Sequence, residues 1–238
     1  MKSLYYDNNL LIDGVYIITL KDHGKSEEAS KIAQESCKKY EMKYTVWDAY
    51  NGTMGGNVIV PPEHLKNDRF MKMLKITNHY LSRTEIACVL SHVSLWAHCA
   101  AINKPIVIME HDAVMVRKFI QVKSWNSIVF LGSLEWSQDG WPIGDIPIHG
   151  TDGPNLRFIC RAHAYAIDPV VAKNMLSYVL KYGITDSADK LMRADLFNIT
   201  HQGLYATDYK KPMSETTITG RGYEEGVQSL NRNDKLLW

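Results

Sequence analysis

Two carboxylates follow a short apolar run near the middle of the chain. Glu110 and Asp112 come directly after Pro105–Met109, a run typical of a buried strand. In an extended backbone, side chains at i and i+2 point to the same side, about 7 Å apart at Cα. Open α/β sheets bind ligands beyond the carboxyl ends of their strands, and oxygen ligands there suit Mg²⁺ or Mn²⁺. The pair therefore predicts a divalent-metal site that neutralises a diphosphate, and a solvated strand end is the alternative.

A second group of polar residues falls on one face of a predicted helix. Ser82 and Glu85 have the spacing of a capping box, which predicts a helix that runs to about Ala101. Four polar residues lie three or four positions apart along this helix, the last two being adjacent: Glu85, Cys88, Ser91 and His92. Residues spaced in this way share a helical face, which can line a binding pocket. The alternative is a core helix whose Ser and His side chains are hydrogen-bonded.

The elements that position these residues alternate along the chain. Strands are predicted at 15–20, 44–47, 105–109, 127–131 and 163–167, and helices at 27–39, 82–101 and 169–181. This order predicts a single α/β domain over residues 1–238, with a mostly parallel sheet covered by helices on both faces. Residues 136–154 are rich in Gly, Pro and Asp and are predicted to form a loop. The polar residues from about 210 onward are predicted to form an irregular tail.

The composition argues against several functional classes. The 238 residues include 27 Lys plus Arg and 26 Asp plus Glu, so the net charge of +1 gives no general attraction to nucleic acid or anionic membrane. The longest apolar stretch, 86–102, is interrupted by Ser and His, so no integral membrane segment is expected. No secretory signal and no closely spaced cysteine pair is visible, so we expect a cytoplasmic protein with reduced thiols. No Walker A, HExxH or GxSxG motif occurs.

Several segments match, in order, the motifs of a known family. A Val-Tyr-Val-Ile-Asn-Leu strand is matched by residues 15–20, and an Ala-x-Asp/Asn-Gly turn by residues 49–52. A Leu-Thr-x-Gly-Glu-Ile-Gly-Cys-x-x-Ser-His helix is matched by residues 81–92, and a Glu-Asp-Asp strand end by residues 110–112. Counterparts also exist for residues 130–132, 163–165 and 188–192. Over residues 14–220 the chain thus resembles glycosyltransferase family 25, the family of lipooligosaccharide galactosyltransferases and collagen galactosyltransferase domains.

Three positions depart from the family pattern. His111 stands where the middle Asp of the acidic motif is usual, and Ala87 replaces a Gly. The Arg usually found after the first strand has no clear counterpart around Lys21–Lys25. The chain is thus a divergent member, in which His111 either weakens metal binding or itself acts as a ligand.

The resemblance implies a GT-A-type fold, a UDP-linked or similar nucleotide-diphosphate sugar as donor, and Mn²⁺ or Mg²⁺ held by Glu110 and Asp112. It also implies inversion at the anomeric carbon, which needs a carboxylate base on the acceptor hydroxyl. Asp189 is the first candidate and Asp186 the second, because Asp186 suits the cap of a helix predicted at about 190–197. The residues expected to bind the donor are Thr19, Leu20, Ala49, Tyr50, Asn51, Glu85, Ser91, His92, Gly132 and His163.

Three functions remain open from the sequence. The first is transfer of a sugar to a lipopolysaccharide or another cell-surface glycan. The second is the same chemistry on a modified nucleobase in DNA, which a large basic patch beside the acidic site would favour, or on a protein. The third is a catalytically inactive GT-A fold that serves as a binding module, an idea motivated by His111.

Overall fold

The computed structural model describes residues 12–53, 58–120, 126–132, 144–145, 162–201 and 205–208. Its elements, in chain order, are β1 (Val15–Thr19), α1 (Gly24–Lys39), β2 (Tyr44–Asp48), a 3₁₀ turn (Glu63–Leu65), α2 (Arg69–Met73), α3 (Arg83–Ile102), β3 (Ile106–Glu110), β4 (Ala113–Met115), β5 (Ile128–Phe130), β6 (Gly144–Asp145), β7 (Ala164–Ile167), α4 (Pro169–Tyr182), α5 (Ala188–Leu191), β8 (Ile199–His201) and β9 (Ala206–Asp208). The five strands and three helices predicted above are confirmed, each end within three residues. The predicted tail lies outside the described residues, and so does most of the predicted loop at 136–154, of which residues 144–145 form β6.

Within the described residues, seven strands form one sheet in the order β2-β1-β3-β7-β5-β8-β6. β1 pairs in parallel with β2 and β3, and β5 pairs in parallel with β8. β7 runs antiparallel between β3 and β5, and β6 runs antiparallel to β8. Five of the seven strands therefore point the same way, which confirms the mostly parallel sheet. β4 and β9 form a separate antiparallel pair.

Helices cover both faces of this sheet. Side chains alternate along a strand, so β1 contributes to two apolar clusters. Val15 and Ile17 pack with Ala33 of α1 on one face. Tyr16 and Ile18 point to the other face and belong to the cluster built around α3. Burial on both faces explains why the strands are apolar throughout, as parallel strands usually are.

The longest helix, α3, is capped at its start and buried along its length. The Ser82 Oγ accepts the Glu85 N–H, and a Glu85 carboxylate oxygen accepts the Ser82 N–H at 2.8 Å, which confirms the predicted capping box. Asn103 ends the helix in the left-handed conformation, with φ of 53°. The length of α3 and its mean hydropathy of 1.4 would suit a membrane span, but 61% of that stretch is buried inside the protein. The helix therefore packs as a core element of the fold.

The helix expected at about 190–197 is earlier and shorter in the structure. α5 is only four residues long, and its N-cap is Ser187 rather than Asp186. Asp186 instead accepts the Ser187 N–H at 2.9 Å and lies 3.4 Å from the Lys190 Nζ. The helix ends because Met192, which is fully buried, leaves the helical conformation with ψ of 76°.

Candidate active site

An open pocket lies at the carboxyl ends of β1, β2 and β3. It is open to solvent, and its empty space of about 610 Å³ includes the part that solvent fills. The three strands are parallel and in register, with Thr19 beside Asp48 and Ile18 beside Glu110, so their ends meet at one edge of the sheet. The lining residues are Ile18, Leu20, Ala49, Tyr50, Gly52, Thr53, Thr84, Ala87, Cys88, Ser91, His92, Glu110, His111 and Asp112.

The acidic strand end enters this pocket through a turn. Glu110 is the last residue of β3, and His111 and Asp112 form a turn that leads into β4. The extended backbone expected through Asp112 is therefore wrong. Both carboxylates nevertheless line the same pocket, with the His111 side chain beside them. A turn, and not the strand alternation predicted from the sequence, therefore places both residues at the pocket.

Two residues of α3 hold the Glu110 carboxylate. His92 Nε2 lies 3.2 Å from Glu110 Oε1, and the Cys88 thiol donates to the same oxygen at 3.8 Å. Burial alone would raise the pKa of Glu110, but the hydrogen bond to His92 and the nearby imidazoles of His111 and His163 lower that pKa below its ordinary value of 4.5. Glu110 is therefore a charged carboxylate at neutral pH.

His92 is fully buried, and its second ring nitrogen is also bonded. The Tyr165 hydroxyl lies 2.9 Å from His92 Nδ1 and 2.8 Å from Trp96 Nε1. An indole N–H can only donate, so the Tyr165 oxygen accepts from Trp96 and its own hydrogen is available to His92 Nδ1. Nε2 then carries the ring proton of His92 and donates it to Glu110. Burial raises the pKa of Tyr165 well above 10.0, so the hydroxyl keeps its hydrogen.

Cys88 lies one helical turn before His92 and lines the same pocket. Burial raises the pKa of its thiol well above 9.0, and the negative charges of Glu110, Asp189 and Asp112 raise it further. The ligand atoms of Cys88, His92 and Glu110 all lie within 4.8 Å of one another. The spacing in the sequence puts Cys88 on the polar face of the helix, and no chemical role was predicted for it. The i, i+4 spacing of Cys88 and His92 was the signal for this cluster.

The loop after β2 is fastened to α3 and forms one wall of the pocket. The Ser91 Oγ accepts the Tyr50 N–H at 2.9 Å and donates to the Ala87 carbonyl at 2.8 Å. Gly52 approaches the helix so closely that a Cβ there would lie 2.5 Å from the Arg83 carbonyl oxygen. Only glycine fits this approach, so Gly52 is required for the loop to reach the helix.

The structure brings together half of the residues predicted to bind a donor. Five of the ten line the pocket: Leu20, Ala49, Tyr50, Ser91 and His92. Thr19 faces α1, where its Oγ1 lies 2.7 Å from the Ser30 Oγ. The Asn51 side chain accepts the Thr53 N–H and hydroxyl, and Glu85 is engaged in the capping box. These three side chains serve local structure rather than the pocket wall.

Gly132 and His163, the other two, lie next to Glu110 without lining the pocket. The His163 carbonyl accepts the Glu110 N–H at 2.9 Å, so the residue sits directly across the sheet from the acidic strand end. A Cβ on Gly132 would lie 2.1 Å from His163 Nε2, which makes glycine necessary where the imidazole passes. His163 is only 3% exposed, and the pair supports the sheet edge behind Glu110.

The two candidate bases lie on the segment that packs against α3. Asp189 belongs to α5, which contacts α3, and its charge contributes to the raised pKa of the Cys88 thiol after burial and Glu110. The Ser187 hydroxyl and the Lys190 N–H both donate to the Asp189 carboxylate. Asp186 forms an ion pair with Lys190. Neither aspartate is among the lining residues of the pocket.

The pocket and its motifs correspond to a family model. Residues 12–142, more than half of the 238, match the model for glycosyltransferase family 25, which is described as an LPS biosynthesis protein. The chain belongs to glycosyltransferase family 25. The α/β architecture of this transferase, with its pocket at the ends of parallel strands, is of the GT-A type. The match includes the acidic strand end and Gly132, whereas His163, Asp186 and Asp189 lie beyond it. No curated protein sequence matches the chain significantly.

Proposed function

We propose that this transferase moves a sugar from a nucleotide-diphosphate sugar, UDP-linked, to a hydroxyl group of a glycan, with inversion at the anomeric carbon. The observation that carries the proposal is the meeting of Glu110 and Asp112 in an open pocket at the ends of three parallel strands. Open α/β sheets bind nucleotides at this edge. The family description as an LPS biosynthesis protein supports a saccharide as acceptor.

The nucleoside fits best against the ends of β1 and β2. Leu20, Ala49 and Tyr50 give this wall apolar surface, and Ser91 holds its backbone to α3. A nucleoside packed there directs its diphosphate toward the turn at Glu110–Asp112, which lies on the neighbouring strand. With the strand order β2-β1-β3, the nucleoside lies at the ends of β2 and β1 and the diphosphate lies at the end of β3.

The ligand chemistry of the acidic turn suits Mg²⁺ or Mn²⁺. Glu110 and Asp112 supply carboxylate oxygens, and His111 adds an imidazole that Mn²⁺ accepts. Asp112 would be the principal ligand, because Glu110 already shares one oxygen with His92. When bound, the ion supplies charge neutralisation for the diphosphate leaving group. His92 has a positioning role here, since its Nε2–H keeps the Glu110 side chain at the pocket wall.

Inversion requires a base on the side of the sugar opposite the leaving diphosphate. That geometry excludes Glu110 and Asp112, whose proposed role is on the diphosphate side. Asp189 is the first candidate, because its segment packs against α3 and its charge reaches Cys88 at the pocket wall. Its carboxylate would accept the hydrogen of the acceptor hydroxyl as the new glycosidic bond forms. Asp186 is the second candidate, and its carboxylate is paired with Lys190 at 3.4 Å.

Thermal unfolding with a panel of nucleotide sugars, with and without Mn²⁺, tests the donor. A ligand that binds only the folded protein raises the melting temperature, and at a given concentration a tighter ligand raises it more. We expect UDP-linked sugars to raise it, and to raise it more with Mn²⁺ present. The anomeric configuration of the transferred sugar, measured by NMR on the product, then tests inversion. A panel in which no nucleotide sugar raises the melting temperature would contradict the proposed donor.

The Asp112→Asn variant tests the metal role. Loss of charge stabilisation of the leaving group is worth several kcal/mol, so we expect turnover to fall by about 10²-fold or more with little change in stability. Asp22→Asn is the matched control, because Asp22 is an exposed aspartate in the turn after β1 and does not line the pocket. Full activity of Asp112→Asn, or of the wild type in excess chelator, would contradict the metal assignment.

A further inference from the structure

One cluster at the pocket has a ligand set different from that of the acidic turn. We propose that Cys88, His92 and Glu110 form a binding site for a thiophilic divalent ion such as Zn²⁺, separate from the Mg²⁺ or Mn²⁺ site although both use Glu110. Zinc binding at this site is independent of the proposed reaction. The inhibition expected from it rests on the proposed function.

Two of the three distances between the ligand atoms are already close to those of a zinc site. Glu110 Oε1 lies 3.2 Å from His92 Nε2 and 3.8 Å from Cys88 Sγ, and all three atoms are within 4.8 Å of one another. A tetrahedral zinc ion with bonds of about 2.0 to 2.3 Å places its ligand atoms roughly 3.3 to 3.8 Å apart. The atoms therefore approach three corners of a tetrahedron before any ion binds.

The cluster is built on rigid elements. Cys88 and His92 are one turn apart on α3, and Glu110 ends a central strand of the sheet. His92 Nδ1 is bonded to the Tyr165 hydroxyl, which can accept the Nδ1–H that a histidine carries when its Nε2 binds a metal. All three side chains line the pocket, so an ion could enter from it and keep its fourth position open to it.

The donor atoms select the ion. A thiolate and an imidazole favour Zn²⁺ over Mn²⁺, and Mg²⁺ prefers oxygen ligands alone. The acidic turn offers the opposite chemistry, with carboxylate oxygens from Glu110 and Asp112. Two neighbouring sites with one shared carboxylate can therefore discriminate between the two kinds of ion.

The proton balance of binding is simple. The Cys88 thiol loses its proton to solvent. The His92 ring proton moves from Nε2 to Nδ1 and is donated to the Tyr165 oxygen, while the Tyr165 hydroxyl hydrogen, which had pointed at Nδ1, rotates away from the ring. One proton is released in all, and the thiolate and the Glu110 carboxylate together neutralise the two positive charges. The negative charges of Glu110, Asp112 and Asp189 act on Cys88 and favour a cation at the same place.

Zinc titration of the metal-free protein, followed by calorimetry, tests the site. We expect one ion per chain in the wild type and a loss of affinity of at least about 10-fold in Cys88→Ser, which removes the thiolate ligand. The matched control is Cys99→Ser, because Cys99 lies on the same helix but donates to the Lys104 and Ile167 carbonyls instead of lining the pocket. Cys99→Ser should bind zinc as the wild type does.

Cobalt(II) gives a second readout that does not depend on activity. Co²⁺ in the wild type and in Cys99→Ser should show a sulfur-to-metal charge-transfer absorption, which Cys88→Ser should lose. Equal zinc affinity in the wild type and Cys88→Ser, or a cobalt spectrum without sulfur absorption, would overturn the site.

Inhibition separates this proposal from the proposed function. The rate of sugar transfer at each zinc concentration is expressed relative to the zinc-free rate of the same protein. Half inhibition of Cys88→Ser should then need at least about 10-fold more zinc than half inhibition of the wild type. Half inhibition of the wild type and of Cys88→Ser at the same zinc concentration would contradict the claim that zinc inhibits by binding at the site that shares Glu110. Zinc binding as expected in a protein that transfers no sugar would refute the transferase reaction and leave the site standing.

Discussion

The hydrogen bonds that link Trp96, Tyr165 and His92 predict a large loss of unfolding free energy when the Tyr165 hydroxyl is removed. The Tyr165→Phe substitution removes one oxygen atom and preserves the ring that packs against α3. It leaves the Trp96 N–H and the His92 Nδ1 without their partner, and both side chains are 0% exposed, so water does not replace the hydroxyl. The loss therefore falls on two buried polar groups at once.

The magnitude follows from those two groups. A buried donor or acceptor that loses its partner costs about 1–3 kcal/mol, so the loss of two partners should lower the free energy of unfolding by roughly 2–6 kcal/mol. For a domain of this size about 1 kcal/mol corresponds to roughly 2–4 °C, so the melting temperature should fall by roughly 4–24 °C. Tyr16→Phe is the matched control, since the Tyr16 hydroxyl bonds the partly exposed Asp13 and His98, which water can reach. Its cost should be only about 1 kcal/mol.

Urea unfolding of the wild type and both variants measures these differences. The denaturant dependence should remain unchanged, so that a shift of the midpoint reports stability alone. A cost for Tyr165→Phe no larger than that for Tyr16→Phe would refute the reasoning, because it would mean that the buried Tyr165 hydroxyl is not bonded as described.

Three further predictions concern the base, the sheet edge and acid stability. Asp189→Asn should lower turnover by about 10²-fold while donor affinity stays near that of the wild type, and an active variant would move the base elsewhere. Gly132→Ala should lower the unfolding free energy by about 1–3 kcal/mol, because its Cβ would lie 2.1 Å from His163 Nε2, and urea unfolding without a change would contradict that fit. The hydrogen bond from Tyr16 lowers the pKa of Asp13 below 3.8 against the opposing effect of burial. The stability advantage of the wild type over Asp13→Asn should therefore be complete above about pH 4 and shrink as the pH falls through that lowered pKa, whereas a constant difference in urea unfolding would refute it.

The sequence alone determined the elements and the edge of the sheet where the pocket lies. The signals for these are local, such as the spacing of Ser82 and Glu85 in the capping box and the apolar run before Glu110. Strand ends of parallel strands meet at one edge whatever their order, so Leu20, Tyr50 and Glu110 could be grouped before the sheet order was known. The family motifs lie on these same segments, and for that reason the resemblance was found from the sequence.

The tertiary structure alone decided which side chains of those segments face the pocket. β1 is buried on both faces, so its sequence shows no polar alternation that would tell Thr19, which faces α1, from Ile18 and Leu20, which line the pocket. The turn at Asp112 depends on the pairing of β4 with β9, a contact between residues far apart in the chain. The approach of Cys88 to Glu110 likewise depends on how α3 packs across β3. Long-range packing leaves little trace in local spacing, and this is why the thiol, imidazole and carboxylate cluster became visible only in three dimensions.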